Sequence, residues 1–217
     1  MTAATAPSLS ELRERVDRMQ GRPAAQPVAT HPAFAGLLQL QVGSSYSVDS
    51  MSLATALMAG PSADGAWCAV VGSAELGLEA AAAAGVELRR TILVPDPGEA
   101  WLEVTAALID VLGVVVLQAP AQVGAKDVSR VSARLRQRGA ILICHGDWPR
   151  SDARVSLRDS AWVGVGRGHG HLQARTVTVE VRRGTAPPRT GRLWLPDAAQ
   201  VIRRADEDAP TRLRSVS

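Results

Sequence analysis

Gly43-Ser44-Ser45-Tyr46-Ser47-Val48-Asp49-Ser50 stands between the apolar run LLQLQV (37–42) and a helical stretch, Ser50 to Ala59, and this junction decides how the chain is read. In an open parallel sheet, ligands bind beyond the carboxyl ends of the strands, so the turn after a first strand is where phosphate chemistry is sought. Laid on the phosphate-loop template G-x-x-x-x-G-K-[ST], Gly43 and Ser50 match, whereas Val48 stands at the second glycine and Asp49 at the lysine. The same segment also reads as a serine-rich connection that caps a helix.

Downstream, short apolar runs alternate with helical stretches. LLQLQV (37–42), AWCAVVG (66–72), TILVP (91–95), GVVVLQ (113–118) and AILICHG (140–146) are mostly apolar throughout, as strands buried between two helix layers are. Between them Ser50–Ala59, Glu75–Ala84, Glu99–Leu112 and Asp127–Arg138 each end at a glycine and are expected to be helices. The alternation predicts an α/β fold with a mostly parallel sheet and helices on both faces. WVGVGRG (162–168), LQARTVTVEVRR (172–183) and GRLWLP (191–196) alternate residue by residue, which predicts C-terminal antiparallel strands.

At the N-terminus, Ser8-Leu9-Ser10-Glu11 has the form of a capping box, and Leu9, Leu12, Val16 and Met19 follow at helical spacing. Residues 1–20 are therefore expected to hold an amphipathic helix whose stripe docks on its own domain or on a partner, joined through a proline-rich linker (21–35) to a domain spanning 36–196. Residues 197–217 mix charge signs with few large apolar side chains and are expected to form a flexible tail. No apolar run has the roughly 18 residues of a membrane span, and no basic-then-apolar leader opens the chain, so the expected compartment is the cytoplasm. Cys68 and Cys144 both sit in strand-like runs and read as buried free thiols.

Charge is divided along the chain. Residues 1–125 carry 6 Arg against 12 acids, whereas residues 126–217 carry 17 Arg and Lys126 against 9 acids. The basic half invites a nucleic acid or an acidic partner. Arg130, Arg134 and Arg138, four apart on one helix with Arg136 adjacent, and Arg203 with Arg204 in the tail, are candidate contacts to DNA or a partner. With aromatics at only 3%, few rings are available to stack on bases. His145, Asp147, His169 and His171 read as polar turn residues rather than a metal site, and no spacing announces a nucleophile.

AWCAVVGSAELGL, GVELRRTILVPDPGEAWLEVTAALID, VLGVVVLQAP, KDVSRVSARLRQRGAILICHG and SLRDSAWVGVGRGH follow the order and spacing of the RecA core. Over about residues 30–196 the chain resembles the ImuA branch of RecA-like proteins, the shorter form found with error-prone polymerases. The resemblance implies a RecA-like domain whose phosphate loop (Gly43, Val48, Asp49, Ser50) is degenerate. Two unit charges about 4 Å apart interact by roughly 4 kcal/mol at an effective dielectric near 20, so exchanging lysine for Asp49 opposes a ligand whose micromolar affinity is worth about 8 kcal/mol. Gln118, at the position of the metal-holding acid, cannot balance Mg²⁺ as a carboxylate would. Glu75, near the catalytic glutamate of RecA-like enzymes, reads as a first-turn helix acid, and DWPRSDARVS as a shortened DNA-binding loop.

The resemblance further implies an accessory subunit of an error-prone damage-tolerance complex, without a cofactor and without ATP hydrolysis. Its partners would be an ImuB-like adaptor and, through it, a DnaE-type polymerase and the sliding clamp, with DNA a further candidate and no membrane. Two other readings remain open at this stage: a divergent RecA-like ATPase, and a damage-induced inhibitor of cell division of the SulA type.

Overall fold

The computed structural model describes residues 26–166 and 169–205. The N-terminal helix expected around Leu9, Leu12 and Val16, and the last part of the tail, lie outside the described residues. Nine strands form one sheet: β1 Ser45–Val48, β2 Cys68–Val71, β3 Thr91–Val94, β4 Val114–Gln118, β5 Ile141–His145, β6 Ala153–Gly166, β7 His169–Arg182, β8 Arg189–Trp194 and β9 Arg203–Arg204. Their spatial order is β3-β2-β4-β5-β1-β6-β7-β8-β9. Pairings from β3 across to β6 are parallel, and β7, β8 and β9 are each antiparallel to the strand before. The α/β class, the parallel centre and the antiparallel C-terminal strands are as the sequence predicts.

Four helices flank the sheet: α1 Met51–Ala63, α2 Leu78–Ala83, α3 Trp101–Ile109 and α4 Ala125–Arg138. On one face, α1, α2 and the segment around Phe34 bury Tyr46, Val48, Val70, Val116 and Ile143. On the other, α3 and α4 bury Val71, Val115, Leu117, Leu142 and Cys144. A parallel strand enclosed on both sides must be apolar at every position, which is why β2, β4 and β5 read as unbroken hydrophobic runs. Each fully buried Val, Leu or Ile contributes about 1.5–3 kcal/mol.

β1 breaks that pattern, and it corrects the first strand assignment. The apolar run 37–42 is not a strand: it follows a 3₁₀ turn at Pro32–Phe34, and its β pairing among the described residues is an isolated bridge from Gln41 to Pro27, outside the sheet. Leu37, Leu38 and Leu40 instead pack with Phe34 against the sheet face. The pairing goes to Ser45–Val48, whose alternation sends Tyr46 and Val48 into the first core and leaves Ser45 and Ser47 on the opposite side. Tyr46 is fully buried, and its hydroxyl oxygen accepts the Gln41 N–H at 2.7 Å.

Several boundaries also move. α1 passes through Gly60-Pro61, where a stop was expected; the glycine is there because the chain at Thr30–His31 lies directly on it. β6 begins at Ala153, inside the stretch read as a shortened loop, and pairs first in parallel with β1 and then as a long hairpin with β7. Part of the expected linker and tail belongs to the body: Ile202 is buried and β9 pairs with β8. No described helix is long and apolar enough to cross a membrane.

A Cβ on Gly60 would stand 2.4 Å from the His31 nitrogen and 2.7 Å from the Thr30 carbonyl carbon. On an open helix Gly→Ala gains about 1 kcal/mol. Here Gly60→Ala is expected to lower stability by about 1–3 kcal/mol, as overpacking does, which urea unfolding measures; a stabilised variant contradicts this packing.

Candidate functional site

The four phosphate-loop positions do not form a loop. Gly43 precedes β1 and Ser50 follows it, so the two template matches stand at opposite ends of one strand, separated by about 20 Å of extended chain. Gly43 has φ +75°, and a Cβ there would meet the Arg136 Cα at 3.1 Å, so the glycine serves the approach of α4. Its N–H donates to the Ala140 carbonyl at 3.1 Å, and the Ser45 N–H donates to Asp152 Oδ2 at 2.9 Å. The Val48 carbonyl accepts from Gly146 N at 2.8 Å. Val48 itself is buried in the core.

Asp49 faces no phosphate position. Both its carboxylate oxygens accept from the Leu157 N–H, at 3.0 and 3.1 Å, and so hold β6 where it leaves β1. Only Asp49 and Ser50 connect β1 to α1, and the Ser50 side chain makes no cap bond. Gln118 ends β4 opposite His145, with the backbone of Gly72 lying against its Cβ. Glu75 lines a separate hollow of about 280 Å³ with Met51, Thr55, Leu195 and Ile202. The carboxyl end of β1 thus holds a tight corner.

The arginine candidates divide. Arg134 and Arg138 pair with Asp110, at the end of α3, at 2.9 and 3.2 Å, while Arg130 is exposed. Arg203 bonds Asp197 at 2.6 Å and lies over the Trp194 ring, and Arg204 donates to the Ala35 carbonyl at 3.3 Å, so both take part in closing the sheet edge. Among buried acids, Glu180 is drawn down to about 2 by hydrogen bonds from Arg182 and Arg158, each at 2.7 Å. Burial pushes the thiols of Cys68 and Cys144 up to about 11 and about 12, so both stay protonated and inert at neutral pH. No group of three or more His, Cys, Asp or Glu among the described residues is arranged to hold a metal.

What the fold does bring together lies at the other end of the strands. A cleft of about 570 Å³ opens between α4 and the amino ends of β1 and β6, with Arg136, Arg150 and Arg183 in its walls and Ser44, Ser132 and Asp152 beside them. These arginines come from three distant segments, and no sequence spacing links them. The legible signal is local: serines on every second position of β1 mark a strand face that, though buried, carries no apolar side chain.

The family model described as MT3502 N-terminal domain matches residues 33–150, more than half of the chain. That span covers β1 to β5 and all four helices and ends at Arg150. An uncharacterized protein of Mycobacterium tuberculosis, Rv3395c, is 35% identical over 140 residues, which are 62% of this chain and 62% of that protein. The chain therefore spans less than two thirds of the length of this relative.

Rebuilding the template tests the strand assignment. Val48→Gly removes a buried side chain worth about 1.5–3 kcal/mol and adds a glycine cost of about 0.5–1 kcal/mol; Asp49→Lys removes the acceptor of the Leu157 N–H, about 1 kcal/mol. The double variant is expected to unfold at lower urea and to show no ATP binding by calorimetry. A variant of undiminished stability that binds ATP contradicts the assignment.

Proposed function

The chain belongs to the family of the MT3502 N-terminal domain, and from that premise we propose that it is a non-catalytic accessory subunit of the ImuA type in an error-prone damage-tolerance complex. It acts by binding an ImuB-like adaptor and, through the adaptor, a DnaE-type polymerase. It hydrolyses no ATP, because β1 occupies the place where a phosphate loop would stand and Asp49 and Gln118 supply neither the cation nor the metal-holding acid.

The observation that carries a binding role is the free edge of the sheet. Among the described residues β3 is the terminal strand, paired on one side only, and its Ile92 and Leu93 are 38% and 41% exposed. An unpaired edge with apolar side chains is a template for an added strand from another chain, and soluble proteins ordinarily blunt such edges with charge. Ile92 and Leu93 are bare where a lysine would protect. The resemblance of the core to RecA-like proteins of the ImuA branch points to the adaptor as the chain that covers this edge.

Full-length protein is expected to capture a tagged ImuB-like adaptor in a pull-down, with capture lost in Ile92→Asp/Leu93→Lys. Deletion of the gene is expected to abolish damage-induced mutagenesis without altering growth in undamaged cells. Normal induced mutagenesis in the deletion contradicts the role, and filamentation on overexpression favours an inhibitor of cell division instead.

A further inference from the structure

The helix layer on the α3–α4 face stops at α4. Beyond it β1 presents Ser45 and Ser47 rather than valines, and no residue of β6, β7 or β8 joins the core on that side among the described residues. Where the helix layer ends, beside the amino ends of β1 and β6, lies the cleft of about 570 Å³, a volume in the range of ligand sites. We propose that this cleft binds the phosphate groups of a ligand, held by Arg136 from α4, Arg150 from the β5–β6 connection and Arg183 after β7.

Three features favour phosphate. First, the guanidinium groups outnumber the acids: Asp152 is the single carboxylate in the cleft wall, and one of its oxygens already accepts the Ser45 N–H at 2.9 Å. Arg136 and Arg150 make no hydrogen bond or ion pair among the described residues, and Arg183 gives one, to the Gln39 carbonyl at 2.8 Å. A planar guanidinium with free donors matches phosphate oxygens two at a time. Second, the hydroxyls of Ser44 and Ser132 line the same space and add neutral donors.

Third, Arg150 stands at φ +60°, directly after Pro149, in a backbone region that glycine enters freely and an arginine does not. The connection is fastened below by Trp148, which is buried and whose backbone N–H donates to Ser47 Oγ at 3.0 Å. A turn anchored this firmly holds a strained residue whose side chain lines the cleft, and strain of this kind gathers at binding sites. The cleft lies at the amino ends of the strands, opposite the crevice where ligands of open α/β sheets usually bind, and its assignment does not depend on any adaptor.

Full-length protein titrated at low salt with two probes, inorganic pyrophosphate and a labelled oligothymidylate, tests this. At least one probe is expected to bind, with affinity falling as salt rises. Arg136→Glu and Arg150→Gly are each expected to weaken that probe about tenfold or more, the loss of one charge-assisted contact, while Arg89→Glu, at an exposed position outside the cleft, leaves it unchanged. Arg150→Gly relieves the positive φ, so it is expected to unfold at the same or a higher temperature, which separates lost binding from lost folding. Binding of pyrophosphate assigns a small phosphorylated ligand, and binding of the oligonucleotide alone assigns the backbone of a single strand. If neither probe binds the unaltered protein, or both cleft variants bind as it does, the proposal is overturned.

Discussion

A strand with a neighbour on each side gives its backbone to the sheet, and β1, between β5 and β6, is in that position over Ser45–Val48. Phosphate recognition by a loop needs the opposite, a run of free N–H groups curled around an anion. The two uses exclude each other. Here β1 runs to Val48, so only two residues remain to connect it to α1, and the corner beyond is filled by the Asp49 bond to Leu157. The result is a closed centre, with an arginine-lined cleft at the amino ends of the strands.

The same commitment gives each apparent motif residue a different task. Gly43 admits α4, Val48 fills the core, and Asp49 fixes the start of the antiparallel strands. Serines at alternate positions face the side where the helix layer ends, and there the arginines of α4, the β5–β6 turn and the end of β7 converge. Positive charge in the second half of the chain is thus partly structural, as in the arginines paired with Glu180 and Asp110, and partly unpaired among the described residues, as at Arg136 and Arg150.

How far the sequence reveals this depends on the kind of signal. β2, β4 and β5 are legible because burial on both faces demands continuous apolarity, and α4 is legible because its stripe is amphipathic and ends at Gly139. LLQLQV misleads because apolarity reports burial, not pairing: Leu37, Leu38 and Leu40 are buried by lying on the sheet. Ser-Tyr-Ser-Val carries the period-2 alternation of a strand, but serine-rich composition speaks for a turn. Gly60-Pro61 reads as a stop because Thr30–His31, far away in sequence, is what makes the glycine necessary. The cleft is illegible for the same reason, since its three arginines meet only through the fold.

Amide hydrogen exchange of the full-length protein over residues 43–50 distinguishes a paired β1 from a phosphate loop. Ser45–Val48 are expected to exchange as slowly as the core strand Ile141–His145, with no change on adding ATP and Mg²⁺, because paired central strands open only with the whole domain. Rapid, loop-like exchange there that slows when ATP and Mg²⁺ are added would contradict it.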